Sequence, residues 1–170
     1  MAAPQLDAVA LLKADHRKVS ELFAQFQAAK GDGKKKALAE QICMELTIHT
    51  RIEEDVFYPA CEGGVDEDLL KEAYVEHDAA KVLIAEIETG GPDDDFYEAK
   101  VKVLSEMIEH HVEEEEKRVE GMFAQARKAG LDMDALGDRM AAEKVQLKTT
   151  YRRTGLPTPG TPTLQGTQLA

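Results

Sequence analysis

The sequence predicts an all-α protein, built as an up-down-up-down four-helix bundle with an additional short C-terminal helix. Long segments repeat apolar residues at three- and four-residue spacing, which is the period of an amphipathic helix. Short segments rich in Gly and Pro separate these patterns and end each helix. The composition agrees, since Ala, Leu, Glu and Lys dominate and aromatic residues make up only 5% of the chain. Amphipathic helices joined by short turns favour a bundle with one buried core.

The first two helices are predicted at about residues 5–30 and 34–60. The first stops at the sequence GDG, and the second carries Pro59 near its end, followed by EGG. Glycine and proline at these places are typical helix terminators. Both helices place apolar residues on a single stripe, which we expect to face the core of the bundle.

The third and fourth helices are predicted at about residues 66–89 and 93–130. Gly90, Gly91 and Pro92 end the third helix, and three aspartates then open the fourth. Acidic residues are suited to a helix N-terminus, where they compensate the positive end of the helix dipole. We expect the fourth helix to run without interruption to Gly130, with Val119 and Met122 on its buried stripe.

A shorter helix at about residues 132–149 is predicted to dock on the bundle. The final stretch is rich in Gly, Pro and Thr and is expected to be a flexible, disordered tail. The predicted organisation is therefore a bundle at residues 1–130, a C-terminal helix at 131–150 and a tail at 151–170.

The charge and hydropathy of the sequence limit the kinds of molecule that the protein is expected to bind. The formal net charge of −12 argues against binding to nucleic acid or to an anionic membrane surface, and it would attract a cation. The sequence contains no run of 18 apolar residues and no leader with a basic start and apolar core. We therefore expect a cytoplasmic protein that does not engage a membrane.

Each of the four main helices carries one histidine on its apolar stripe. These residues are His16, His49, His77 and His111. A single histidine on such a stripe is usually a hydrogen-bonded core residue. Four of them at similar depth, one per helix, indicate instead a shared metal site.

Two glutamates strengthen this interpretation. Glu53 follows His49 by four residues, and Glu115 follows His111 by four, so each pair shares one helix face. An unpaired carboxylate in an apolar interior carries a large desolvation cost. A multivalent cation bound by neutral imidazoles would compensate both glutamates. The alternative, a metal-free bundle with core histidines, would leave them uncompensated.

The segment HHVEEEE at residues 110–116 offers two registers. His110 with Glu114 leads along a face that becomes charged, whereas His111 with Glu115 leads along the apolar stripe. The second register therefore predicts the ligands. His110 is expected to flank the site or contact a ligand, and Glu114 lies close enough on the helical wheel to do the same.

Three nearby residues are assigned outside the ligand set. Glu113 and Glu116 are expected on the solvated helix surface. Tyr58 is interpreted as a packed ring whose hydroxyl lies at the end of the bundle. In a second interpretation, this hydroxyl lies near the metals as a hydrogen-bond donor or additional ligand.

Imidazole and carboxylate donors without thiolates suit iron, manganese or zinc. Four histidines with two carboxylates that can bridge suggest two metal ions. The Glu-x-x-His motif of ferritin-like bundles does not precede any of the histidines, so that pattern is absent.

The arrangement resembles the hemerythrin family, and in particular the bacterial HHE cation-binding domains. The stretches that carry the resemblance are LLKADHRKVSELF, HTRIEEDVFYP, EHD and HHVEEEE, within about residues 5–125. The resemblance implies a four-helix bundle around two iron ions bridged by an oxo or hydroxo group, with zinc or manganese as alternatives. By the family pattern, the implied ligands are His16, His49, Glu53, His77, His111 and Glu115.

Two positions depart from the oxygen-carrying hemerythrins. Lys81 stands where those carriers have a second histidine in the third helix, and Glu116 stands where they have Asp. The chain is therefore more similar to the HHE-type relatives than to the oxygen carriers.

The resemblance implies binding of, or reaction with, a small molecule such as O2, NO or H2O2. Sensing, storage and peroxide detoxification, including weak catalase-, peroxidase- or oxidase-like activity, would all use the same site, and the sequence does not separate them. The alternative is a metal-binding interaction or iron-handling module without turnover. The sequence does not indicate a protein partner.

Overall fold

In the computed structural model, which describes residues 5–165, the chain forms a helical bundle. Four long helices run alternately up and down and enclose a common core, as predicted. Three shorter or later helices complete the structure. The helices are α1 (Ala8–Ala28), α2 (Asp32–Ile52), α3 (Tyr58–Cys61), α4 (Glu67–Gly90), α5 (Tyr97–Glu116), α6 (Met122–Lys128) and α7 (Met133–Thr154).

Aspartates begin three of these helices. The side chains of Asp7, Asp66 and Asp132 each accept a hydrogen bond from a backbone N–H three residues later, at 2.8–3.0 Å. Each bond satisfies a donor that has no partner inside the helix. The starts of α1, α4 and α7 are therefore set by local sequence.

The second long helix is not a regular α-helix throughout. Residues Glu53–Phe57 form a π-helical turn between α2 and α3, and the N–H of Tyr58 bonds the carbonyl of Glu53. Pro59 lies just beyond this turn and has no N–H to donate to Asp55, so the α-helical ladder cannot continue unchanged. The wider turn rotates everything after Phe57 relative to the preceding helix.

The prediction of an uninterrupted fourth helix was wrong. α5 ends at Glu116, where Lys117 turns to an extended ψ of 131°. The chain re-enters a helix only at α6, after Gly121 has packed against the backbone of Lys117. Val119, predicted to face the core, is 79% exposed because it lies in this turn, whereas Met122 is buried as expected.

The C-terminal helix packs on the bundle as predicted, but it continues to Thr154, beyond the predicted end near residue 150. Gly155, with φ of 79°, ends it in a backbone conformation that glycine adopts readily. Residues 155–165, which lie in the predicted flexible tail, cross α4. The N–H and hydroxyl of Thr163 both bond Asp78, at 2.8 and 2.7 Å. Residues 166–170 of the predicted tail lie outside the described residues.

Two apolar clusters fill the bundle, one on each side of a central polar layer. One cluster includes Phe57, Tyr58 and Phe123, and the other includes Val19, Leu46 and Leu104. Within residues 5–165, no helix combines the length and apolar character needed to cross a bilayer. The cytoplasmic location stays a prediction.

Candidate metal centre

Four buried histidines meet at the middle of the bundle, one from each long helix. His16, His49, His77 and His111 are each at most 8% exposed. The Nε2 atoms of His16 and His49 lie 3.2 Å apart, and those of His77 and His111 also lie 3.2 Å apart. We call the first pair the first half of the centre and the second pair the second half.

Glu53 and Glu115 each join the two halves. Oε1 of Glu53 lies 3.3 Å from Nε2 of His49, whereas its Oε2 lies 3.1 Å from Nε2 of His77. Oε2 of Glu115 lies 3.2 Å from Nε2 of His16, and its Oε1 lies 3.3 Å from Nε2 of His111. Each carboxylate therefore offers one oxygen to each half, which is the arrangement of a bridging ligand.

The donor atoms fit a pair of metal ions. Nitrogen and oxygen donors about 2 Å from a shared ion lie roughly 3 Å from one another, as the donors of each half do. The two glutamates are at most 1% exposed, yet Oε1 of Glu53 and Oε2 of Glu115 have no hydrogen-bond partner within residues 5–165. Buried carboxylate oxygens require compensation, and a bound cation would supply it.

The pKa values of the metal-free centre also indicate that the buried glutamates need positive charge beside them. Burial lowers the pKa of His49, but the carboxylates of Glu53 and Asp15 outweigh it and raise this pKa to about 10. Burial and repulsion by Glu115 raise the pKa of Glu53, but His49 and His77 hold it at about 2. The pKa of His111 is likewise raised by Glu115 despite its burial. Protonated histidines thus balance the glutamates where metal ions would otherwise do so.

A carboxylate from a neighbouring segment of the bundle contacts the Nδ1 atom of each histidine, on the ring edge opposite the shared centre. Asp15 of α1 bonds Nδ1 of His49, and Glu54, next along the chain to Glu53, bonds Nδ1 of His77. Glu76 of α4 bonds Nδ1 of His111 at 2.5 Å, and Glu116 bonds Nδ1 of His16 at 2.7 Å.

These four contacts close a ring around the bundle, from α1 to α2, α4, α5 and back to α1. Such contacts orient metal-binding imidazoles and leave Nε2 free for the ion.

Sequence reasoning missed this ring. The prediction that Glu116 is solvated surface was wrong, because its carboxylate reaches across to α1. Asp15, Glu54 and Glu76 were not predicted at all. A signal was available, since an acid directly precedes His16 and His77 and an acid directly follows Glu53 and Glu115.

Tyr58 lies in the centre and not at the end of the bundle. Its ring is fully buried, and its hydroxyl is 2.8 Å from Oε1 of Glu115 and 3.0 Å from Nε2 of His77. In an α-helix, a residue five positions after Glu53 would be rotated away by about 140°. The π-helical turn brings it back to the same face. The preferred interpretation of Tyr58 was therefore wrong, and the second interpretation describes its position.

The other residues considered near the site lie further from the four histidines and two glutamates. His110 is exposed, and its Nε2 lies 3.5 Å from Glu76, so it touches a carboxylate that holds His111. Glu114 pairs with Lys117 at 2.5 Å and does not join the centre. Glu113 is exposed as expected. Lys81 bonds both oxygens of Glu54, at 2.8 and 2.9 Å.

A small cavity opens on the side of the histidines away from Glu53 and Glu115. It has a volume of about 10 Å³, close to the space that one water molecule needs. All four histidines line it, together with the apolar side chains of Val19, Leu46, Ile108 and Val112. A surface groove of about 400 Å³ between α1 and α5 shares His16, Ile108 and Val112 with this cavity. The groove therefore borders the cavity and offers an approach to it from solvent.

Comparison with known proteins now identifies the fold and family. Residues 7–123 match the profile of the Hemerythrin HHE cation binding domain. The chain belongs to this hemerythrin HHE family. The matched region spans α1 to the start of α6 and contains all the histidines and glutamates of the centre.

Several relatives are similar to the chain. A DNA nickase from Nostoc sp. strain PCC 7120 is 30% identical over 106 residues, which are 62% of this chain but only 30% of the nickase. The uncharacterized protein Rv2633c of Mycobacterium tuberculosis is 27% identical over 138 residues, 81% of each chain. A crystal structure of its homologue from Mycobacterium kansasii, an HHE domain-containing protein, matches with a TM-score of 0.75 at 24% identity. That match covers 89% of this chain and 95% of that one, and it shows a shared fold.

Proposed function

We propose that this HHE domain is a non-haem di-iron protein that binds or reacts with O2, NO or H2O2. The observation that carries the proposal is the placement of Glu53 and Glu115, whose two oxygens face different histidine pairs. This placement favours two ions held at a set separation over one. Bound iron would supply Lewis acidity and a change of oxidation state.

The donor set supports iron without requiring it. Four imidazoles, two carboxylates and one phenol suit iron, manganese and zinc, and the clusters that meet at the centre contain no thiolate. The protein's own groups hold the imidazoles by their Nδ1 atoms and present Nε2 to the ions. The hydroxyl of Tyr58 donates a hydrogen bond to Glu115.

The cavity limits the size of the reacting molecule. Its volume of about 10 Å³ is close to the space that one water molecule needs, and its apolar side chains exclude bulk water. Both features favour a diatomic gas or a peroxide over an organic substrate.

The first experiment is metal analysis with a visible spectrum of aerobically purified protein. The proposal expects two iron ions per chain and ferric absorption bands that change on addition of peroxide, NO or azide. Zinc in place of iron, with no visible absorption, would reduce the centre to a structural site and overturn the proposal.

Access can be tested by filling the cavity. Val112→Trp should slow azide binding to the iron-loaded protein by about tenfold or more, since the larger ring would fill the cavity beside the four histidines. Val103→Trp, at a half-exposed position of the same helix, is the control and should leave the rate unchanged. Equal rates in all three proteins would show that small molecules enter elsewhere.

A second candidate function is a metal-binding module without turnover. The match to the nickase favours it, because the matched segment is only 30% of that protein and so belongs to a longer chain with further parts. Oxygen evolution from peroxide separates the two candidates. A rate well above that of free iron supports an enzyme, whereas a rate equal to that of free iron supports the module.

A further inference from the structure

We propose that the C-terminal region, residues 133–165, helps to position the ligands of the metal centre. Lys144 and Thr163 each position one ligand histidine, in different halves, through side chains that end in a carboxylate on the Nδ1 atom of that histidine. This region lies beyond the matched domain at residues 7–123. The inference rests on the proposed function in one respect, that the centre binds metal ions.

The first chain of contacts runs from α7 to the first half. The ammonium group of Lys144 pairs with Oδ1 of Asp15, and Oδ2 of the same carboxylate lies 3.4 Å from Nδ1 of His49. Asp15 is only 8% exposed, so little solvent screens this pair. Lys144 therefore acts on His49 through one intermediate side chain.

The second chain runs from the C-terminal segment to the second half. Thr163 donates two hydrogen bonds to Oδ2 of Asp78, and Oδ1 of Asp78 accepts from Lys81 at 3.0 Å. Lys81 then bonds both oxygens of Glu54, and Glu54 bonds Nδ1 of His77 at 3.0 Å. Asp78 is 1% exposed, so the contact that Thr163 makes with it is buried. From there the network continues through partly buried side chains to His77.

The remaining two carboxylates are different. Within residues 5–165, no lysine pairs with Glu76 or Glu116, which hold His111 and His16. Each half thus contains one histidine on a lysine-paired carboxylate and one histidine on a carboxylate without a lysine. The C-terminal region supplies or secures the lysine in both halves.

A lysine affects the histidine in two ways. It holds the carboxylate in one orientation, which orients the imidazole ring, and its charge makes the carboxylate a weaker acceptor for the ring N–H. Mutation of the groups that contact metal-ligating histidines typically lowers metal affinity or activity 10- to 100-fold, and each lysine acts through such a group. The contact therefore bears on ion retention and on the electronic environment of one ion.

The packing of α7 keeps Lys144 in place. Met133, Leu136, Met140 and Tyr151 are buried against the bundle. The backbone of Leu6–Ala8 lies so close to Gly137 that a larger residue would not fit. These contacts fix the position of α7 on the bundle, and they therefore hold Lys144 beside Asp15.

The test uses the full chain loaded with iron. Lys144→Met should speed iron release to a chelator by about tenfold, whereas Lys144→Arg, which keeps the charge, should release iron close to the native rate. Lys148→Met is the matched control, one turn further along α7, because Lys148 pairs with Glu45 and not with a carboxylate that holds a ligand. It should leave the release rate unchanged.

The two halves can be told apart by Mössbauer spectroscopy of isotopically enriched iron. Lys144→Met should alter the quadrupole splitting of one iron. Thr163→Val, which removes one of the two bonds to Asp78, should alter the other iron by a smaller amount. Thr161→Val is the control for the segment. The double variant Lys144→Met/Thr163→Val should alter both.

The outcomes separate this inference from the proposed function. Wild-type protein that holds no metal overturns the proposed function. Wild-type protein that holds two ions, with native release and native spectra in both Lys144→Met and Thr163→Val, overturns the inference alone. Faster release in Lys148→Met as well would indicate a general loosening of α7 and would also overturn it.

Discussion

The two halves of the metal centre have the same donors but different surroundings. Each half contains two imidazoles and one oxygen from each of Glu53 and Glu115. The hydroxyl of Tyr58, however, lies 3.0 and 3.3 Å from the Nε2 atoms of His77 and His111, in the second half. The second half therefore has a phenol beside it that the first half lacks.

Backbone geometry after each His-x-x-x-Glu motif explains this difference. After Glu53 the chain continues into the π-helical turn, which rotates Tyr58 into the centre. The residue at the same distance after Glu115 is Glu120, which lies past the end of α5 and is exposed. A repeated motif thus produces equivalent candidate ligands, whereas the irregular turns that follow it make the two halves of the centre inequivalent.

The largest effect should come from a residue that serves both halves. Glu115→Ala removes one donor from each ion, so we expect iron content to fall by roughly tenfold or more. Iron is measured by elemental analysis after loading and desalting. Glu114→Ala removes the neighbouring carboxylate, which pairs with Lys117, and should keep both ions. Retention of two ions by Glu115→Ala would contradict the bridging role.

Single histidines should affect one half first. His49→Ala should weaken the ion of the first half, and His111→Ala the ion of the second, each giving about one iron per chain. His110→Ala is the control, because His110 is exposed and contacts only Glu76. A greater loss in His110→Ala than in His111→Ala would show that the other register of residues 110–116 supplies the ligand.

Metal uptake should release protons from both halves. Each half contains one histidine with a raised pKa, His49 at about 10 and His111, and both must lose a proton to bind an ion. We expect about two protons released per pair of ions at pH 7, and weaker binding as the pH falls. Calorimetry in buffers of different ionisation enthalpy measures the number. No proton release would contradict the charge balance of the metal-free centre.

The metal-free protein should show the opposite pH dependence in its stability. The folded pKa of His49 lies above the unfolded value of 6.5, so its contribution is full below that value and is lost as pH rises through about 10. The thermal midpoint should therefore fall over this range in metal-free protein. His49→Ala should show a smaller fall.

The smallest effect should come from Tyr58→Phe, which touches only the second half. Both ions should remain, and only one iron should change its Mössbauer signal. In the metal-free protein the loss of the bond to Glu115 should lower the free energy of unfolding by about 2 kcal/mol, measured by urea titration. Tyr74→Phe is the control, since Tyr74 packs on the Tyr58 ring and its hydroxyl has no hydrogen bond within residues 5–165. Equal changes in the spectra of both irons would contradict the asymmetry.

The sequence predicted the helices and the histidine–glutamate layer because both follow the helical period. Residues four apart share a face, so His49 with Glu53 and His111 with Glu115 could be paired without a structure. The predictions failed where the period changes. Tyr58 follows a π-helical turn, and Val119 lies in a break that Gly121 permits. Pro59 and Gly121 are sequence signals of these two irregularities, but a helical wheel assumes a regular helix and does not use them.

The sequence by itself determined which face of each long helix turns inward, and therefore that four imidazoles and two carboxylates would be buried together. Only the tertiary structure decided which acid holds which histidine, because these contacts join different helices. Asp15 holds His49 and not its neighbour His16, and Thr163 reaches Asp78 from 85 residues away. Such pairings depend on the rotation and axial offset of packed helices, and the period of a single helix contains neither.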